Sequence, residues 1–331
     1  MKLAIIGSGN IVEEALFSMV PIPNIELKAI YARPHSKARG EELAEKYDID
    51  EVYVDYEELL MNADIDTVYI GLVNSAHYDY AKMAILSGKN VILEKPFTGT
   101  YQQAEELACL ACDNGHFLFE AITVLHNDVF DTMKEMLPQL GNIKMVQCNF
   151  SQYSSKYDNY LNHEVSPAFD PDSQGGCLRD LNVYNLFYVI GLFGGPKDFM
   201  YFPNYGWNGI DTSGTLVMRY EGFTATCTAA KDSDSDCFVI IQGEKGTMKI
   251  NGKPNLAPNL TIEYVSGSSG KKDAAGAVVR EKVVNEFVPD KPHHRMTREF
   301  MDFARMIDAK KHDEMESLLD YSLEVMKIIE I

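Results

Sequence analysis

The chain has 331 residues, 46% apolar and 24% charged, ordinary values for a globular protein with room for two domains. Its net charge of -19 excludes a nucleic-acid or anionic-membrane surface as the main partner, because phosphate backbones are held by clustered Lys and Arg. The opening MKLAIIGSG has too short an apolar run for a signal peptide, and no stretch approaches ~18 consecutive apolar residues. A cytoplasmic protein with six reduced cysteines is expected.

Lys2 to Gly7 reads as a strand that runs into Gly7-Ser8-Gly9-Asn10-Ile11-Val12, and the following EEALFSMV has helical spacing. In that context Gly7 permits a tight turn and Gly9 lets a pyrophosphate approach the backbone. The helix N-terminus then offers N–H groups and a positive dipole end. Val12 stands where a third glycine is usual, and its bulk is expected to widen the spacing between helix and strand. By itself the motif also fits an ordinary strand-to-helix turn.

The alternation continues. Strands are expected at Glu26 to Ala32, Glu51 to Val54, Thr67 to Leu72, Asn90 to Leu93 and Phe117 to Glu120. Helices fall between them, two opened by the capping boxes Asp55-x-x-Glu58 and Thr100-x-x-Gln103, the second stopping at Gly115. Six strands alternating with helices predict an α/β, doubly wound parallel sheet over residues 1–121, a Rossmann-type domain that makes a dinucleotide the expected ligand. After the second strand, Tyr31-Ala32-Arg33-Pro34-His35-Ser36-Lys37 carries no acid to grip a ribose 2′-hydroxyl. Arg33, helped by Ser36 and Lys37, suits a 2′-phosphate, so NADP(H) is favoured, with NAD(H) kept open.

Residues 122–331 change character. A helix at Asp128 to Leu137, a strand at Lys144 to Phe150 and a Tyr/Asn/Ser-rich stretch lead to Gly175-Gly176-Cys177-Leu178-Arg179-Asp180 and the apolar helix LNVYNLFYVIGLFG. Strands follow at Leu216 to Tyr220, Phe223 to Ala229, Phe238 to Gln242 and Thr247 to Ile250, the last two joined by a tight turn. Leu260 to Val265 and Val278 to Phe287 are expected to pair across the flexible loop SGSSGKKDAAGA, and two helices end the chain. Runs of strands with few helices imply an α+β domain with an open, largely antiparallel sheet. Cys109 and Cys112 form a C-x-x-C within a helical pattern, without further ligands at zinc spacing, and read as a buried helix face. Asp232 to Asp236 departs from a calcium loop at its sixth and twelfth positions and reads as a solvated acidic turn. No metal site is expected.

The chemistry concentrates in three residues. Lys95 follows the apolar strand VILE, at the carboxyl end of a parallel strand where such sheets bind their ligands. Asp180 and Tyr184 are four apart on a helix and share a face. Together they offer what carbonyl reduction needs, a proton donor and a cation to stabilise developing alkoxide charge.

With GSGNI at Gly7 to Ile11, Asn74-Ser75-Ala76-His77, Glu94-Lys95-Pro96, Glu120-Ala121 and GGCLRDLNVY at Gly175 to Tyr184, the chain resembles the Gfo/Idh/MocA oxidoreductases. Tyr184 makes it most similar to the dihydrodiol dehydrogenase and glucose-fructose oxidoreductase branch. The resemblance implies catalysis by Lys95, Asp180 and Tyr184. It also implies cofactor contacts from Gly7, Ser8, Gly9, Asn10, Ile11, Arg33, Ser36, Lys37, Asn74, His77, Glu94 and Lys95, and a second domain that binds substrate and mediates a homodimer or homotetramer. The implied reaction is hydride transfer between NADP(H) and a sugar, polyol or related hydroxy or keto compound. The alternatives are an NAD-dependent polyol dehydrogenase and a catalytically silent NADP-sensing regulator. Val12, Val73 and Asn182 depart from the family pattern, and Asn182 is expected to alter the substrate or the activity.

Overall fold

The computed structural model describes residues 1–272, 274, 276, 278–290 and 293–330. The chain forms two compact units, one of Met1–His126, Asp170–Gly175 and the described part of Lys291–Ile331, the other of Asn127–Phe169 and Gly176–Asp290.

In the first unit β1 (Lys2–Ile6), α1 (Asn10–Met19), β2 (Glu26–Tyr31), α2 (Lys37–Tyr47), β3 (Glu51–Tyr53) and α3 (Tyr56–Met61) alternate in order. β4 (Thr67–Ile70), α4 (His77–Leu86), β5 (Asn90–Glu94), α5 (Tyr101–Asn114) and β6 (Leu118–Ala121) complete the pattern. The sheet runs β3-β2-β1-β4-β5-β6 with every pair parallel, so the strand order reverses between β1 and β4. Helices cover both faces, which is why β4 and β6 are buried at every position rather than at alternate ones, Thr67 and Glu120 included. The capping box at Thr100 and Gln103 is formed on both sides, and Gly115 closes α5 with φ of 68°.

The second unit carries α6 (Asp128–Met136), β7 (Ile143–Ser151), α7 (Tyr157–Leu161) and α8 (Val183–Phe193). Seven further strands follow, β8 (Asp198–Tyr205), β9 (Asp211–Arg219), β10 (Thr224–Ala230), β11 (Phe238–Gly243), β12 (Gly246–Asn251), β13 (Leu260–Lys272) and β14 (Val278–Phe287). The eight-stranded sheet runs β14-β13-β12-β11-β7-β10-β9-β8 and is antiparallel except at the β10/β7 pair. One face is packed: the row Leu216, Cys227, Cys148, Val239 and Ile250 crosses five strands in register and is buried throughout. Each such Leu or Ile contributes ~1.5–3 kcal/mol. α8, buried from Val183 to Gly191, packs against β7 and β10, as expected of a helix that is apolar all round.

Two final helices, α9 (Thr297–Asp308) and α10 (His312–Ile329), return to the first unit. α9 packs on α1, and α10 packs on α5 and β6. The compact units do not follow chain order, because 170–175 and the C-terminal helices belong with the parallel sheet.

Several local expectations change. Edge strand β8 has no counterpart in the sequence reading, because its residues alternate between half-buried and exposed and include Pro203. β13 extends through the Ser/Gly/Lys run to Lys272, since pairing with β14 supplies the hydrogen bonds that composition does not promise. The remainder of that loop includes Asp273, Ala275 and Ala277, which lie outside the described residues. Cys109 and Cys112 are exposed, not a buried face: Ala104, Leu107, Ala108 and Ala111 form the inward stripe of α5 instead. All six cysteines are free. Among the described residues no helix is long and apolar enough to cross a membrane.

Candidate active site

In the first unit, the β1-to-α1 turn has the geometry of an anion cradle. Gly7 has φ of +123°, and a Cβ there would lie 2.6 Å from the carbonyl oxygen of Gly71, so only glycine fits. At Gly9 a Cβ would meet nothing within 4 Å. Packing therefore does not demand a glycine at position 9; the open space above it does what a bound pyrophosphate needs. α1 has no side-chain cap at Gly9, which leaves its first-turn amides to a ligand. Glu13, the acid in that first turn, is neutralised by Arg39 and by Lys46 at 2.6 Å. Ser8 and Ile11 are half-buried and Asn10 is exposed at the same turn. The residues present fit a dinucleotide.

Val12 does not spoil this geometry. Its side chain is fully buried, and a Cβ on Gly71 would come within 2.8 Å of its Cγ2. The space that a third glycine usually provides on the helix is provided here by Gly71 at the end of β4. Only the folded sheet brings the two together.

The end of β2 carries no carboxylate, and Arg33 is exposed with no hydrogen bond or ion pair from its guanidinium among the described residues. Ser36 is half-buried in the same turn. Lys37 pairs with Glu41 at 3.4 Å, an exposed i,i+4 contact worth ~0.3–0.5 kcal/mol, so it can be recruited at little cost.

Lys95 is half-buried at the carboxyl end of β5. Two of its expected companions turn inward. Glu94 is buried and accepts from the Tyr69 hydroxyl at 2.8 Å, and burial raises its pKa. His77 is fully buried, with Nδ1 3.0 Å from the Pro96 carbonyl and Nε2 3.2 Å from that of Leu72. Burial lowers its pKa. It ties the end of β4 to the residue after Lys95 and so braces the segment that carries the lysine. Asn74 donates to the Gln174 carbonyl at 2.9 Å and so anchors the 170–175 segment.

Glu120, on β6, is also buried, and among the described residues neither carboxylate oxygen has a partner at hydrogen-bond geometry. Burial pushes its carboxyl up to about 8. An unfolded glutamate ionises near ~4.3, so this group contributes stability that is fully present below that pH and lost as pH rises to about 8. Glu120→Gln should therefore match the parent near pH 4 and exceed it near pH 8 by ~1 kcal/mol or more. Denaturant midpoints at the two pH values check this, and an unchanged difference between them contradicts it.

In the second unit Leu178–Asn182 is a π turn leading straight into α8. Such turns widen a helix locally and are common at functional sites. It carries Asp180, and Tyr184 follows as the second residue of α8, 7% exposed with its ring centroid 5.8 Å from that of Phe150. The two preceding glycines have a defined purpose at Gly176. Its φ is +107°, and a Cβ there would lie 2.1 Å from Asp211 Oδ1. Asp211 accepts from the Leu178 amide at 2.7 Å and from the Tyr201 hydroxyl at 2.6 Å, and so fixes the start of the π turn. Asn182 is fully buried and donates to the Cys227 carbonyl at 2.9 Å, while Asn185 donates to that of Thr228 at 3.0 Å. These bonds dock the π turn and the start of α8 on β10.

Two functional candidates escape sequence reasoning. Asp211 is one. Lys231, 2% exposed and 2.8 Å from Asp180 Oδ2, is the other.

Two family models match the chain. One is described as oxidoreductase family, NAD-binding Rossmann fold, over residues 1–121, and the other as GFO/IDH/MocA C-terminal domain, over residues 130–249. The scyllo-inositol 2-dehydrogenase (NADP(+)) of Bacillus subtilis is 31% identical over 330 residues, covering 100% of this chain and 95% of that protein. The trans-1,2-dihydrobenzene-1,2-diol dehydrogenase of Xenopus tropicalis is 27% identical, covering 82% and 81%. A crystal structure of a 3-ketoreductase from Actinomadura kijaniata, in complex with NADP and TDP-benzene, shares the fold with a TM-score of 0.82 at 21% identity, covering 99% and 95%.

Proposed function

The chain belongs to the Gfo/Idh/MocA oxidoreductases and is an NAD(P)-dependent dehydrogenase acting on CH–OH groups, and from that premise we propose NADP(H) as its cofactor and a sugar, cyclitol or related polyol as its substrate. The observation that carries the cofactor choice is the end of β2, where an exposed Arg33 without a partner among the described residues stands in place of an acid. The names of the inositol and dihydrodiol dehydrogenases support the substrate class.

The proposed catalytic set is Lys95, Asp180 and Tyr184. When bound, the nicotinamide supplies or accepts the hydride. In the reducing direction the Tyr184 hydroxyl gives a proton to the substrate oxygen, and the Lys95 ammonium stabilises the negative charge that develops there. Carbonyl, hydride and proton together make the alcohol. Asp180 accepts a hydrogen bond from a neighbouring substrate hydroxyl and fixes the ring.

NADP(H) should bind at least about tenfold more tightly than NAD(H), a difference of ~1.4 kcal/mol. Arg33→Ala should erase most of that difference, because a bidentate guanidinium contact to the 2′-phosphate is lost. Equal affinities in the parent protein, by fluorescence titration, contradict the cofactor assignment.

The second unit supports self-association. The sheet face opposite α8 exposes Met145 on β7 together with Met200 and Phe202 on β8. A second copy of the same chain, related by a two-fold axis, is the commonest cover for such a face. The expected species is a homodimer or homotetramer at micromolar concentration, and a monomer in sedimentation velocity contradicts it.

A further inference from the structure

Lys231 follows β10 directly and heads the acidic run Asp232 to Asp236, a position that reads as a solvated turn. It is instead one of the most buried charged side chains in the second unit, 2% exposed. Its Nζ donates to Asp180 Oδ2 at 2.8 Å and to the Ala168 carbonyl at 2.6 Å, and lies 4.4 Å from the ring centroid of Phe169. The backbone holds it on both sides: Lys231 N donates to Thr212 O, and Ser154 N donates to Lys231 O, each at 2.8 Å.

Burying an ammonium costs several kcal/mol, and pairing offsets that cost only when the geometry is good. Two other carboxylates are candidates for the pairing, and both are engaged elsewhere. Asp211 takes the Leu178 amide and the Tyr201 hydroxyl, and Asp232 takes the hydroxyls of Thr212 and Ser213. The ion pair that Lys231 makes is with Asp180, whose side chain remains 35% exposed.

We infer that Lys231 is a positioning residue for the reaction: it fixes Asp180 in one rotamer as a hydrogen-bond acceptor, so that a substrate hydroxyl is held in one orientation. Proton transfer then falls to Tyr184 alone. The inference rests on the roles proposed above for Asp180 and Tyr184. A purely structural lysine, packed on Phe169 to close the base of the unit, is the alternative, and it predicts lost stability without a change in the chemistry of the folded molecules.

Three variants separate the two. Lys231→Met should stay folded and bind NADPH within about threefold of the parent, while turnover falls about ten- to a hundredfold and the primary deuterium isotope effect rises, because a misaligned substrate slows hydride transfer. In Lys231→Ala, propylammonium should restore turnover at least about tenfold with saturation, and 1-propanol, of similar size and no charge, should not. The third, Lys231→Met/Asp180→Asn, needs no substrate: removing the carboxylate together with its Lys231 partner should recover part of the denaturant midpoint lost in Lys231→Met. Turnover and isotope effect in Lys231→Met equal to the parent's overturn the inference, as does equal rescue by propanol, or a double variant with no recovered midpoint. A parent protein that turns over no polyol overturns the functional reading itself, and the positioning role falls with it. A recovered midpoint in that case locates the failure in the assigned reaction rather than in the ion pair.

Discussion

Tyr184→Phe should lower turnover by roughly a hundredfold or more, the usual span for loss of a general acid or base, while NADP(H) affinity stays within about threefold. The substitution removes one hydroxyl and leaves the ring, which is buried in α8 beside Phe150. An unassisted phenol has a pKa near ~10 and transfers protons slowly at neutral pH, which is why a cationic partner belongs in the proposed set. Single-turnover kinetics checks the assignment. Near-normal turnover with folding intact would give the hydroxyl a structural role and the proton to another group.

Lys95→Met should weaken both turnover and NADP(H) binding, since its charge is proposed to act on cofactor and substrate together. At the carboxyl end of β5, on the segment that His77 braces, the methionine stem can occupy the same path without the charge. A loss of at least about a hundredfold in kcat/KM is expected. The double variant Lys95→Met/Tyr184→Phe should lose far less than the product of the two single losses, because residues that act as a unit are not additive. Multiplicative losses would show that the lysine and the tyrosine serve separate steps.

Much of the first unit is legible in the sequence because its signals are local. Glycines at 7 and 9, apolar runs of four or five residues, and a capping box such as that of Thr100 and Gln103 each specify structure within a few positions. What pairs over distance is not legible. Val12 looks too large until Gly71 is beside it, and nothing local to Gly176 announces the Asp211 carboxylate that occupies the space above it. Lys231 sits in a run of acids and serines and reads as surface, and its partner Asp180 is 51 residues away. β8 and the outer half of β13 carry little β signal of their own, and tertiary pairing decides them. Among the proposed cofactor residues, sequence identifies His77 and Glu94 by motif, but not their burial or their bonds to the Leu72 carbonyl and the Tyr69 hydroxyl.

The activity proposed for this protein is NADP(H)-linked oxidation or reduction of a polyhydroxylated substrate. Nicotinamide absorbance followed with each cofactor against a panel of cyclitols, sugars and their keto forms tests it most directly. The expected result is turnover of at least one member, with kcat/KM for NADP(H) about tenfold or more above that for NAD(H). NADP(H) that binds but is neither oxidised nor reduced with any member of the panel would contradict it.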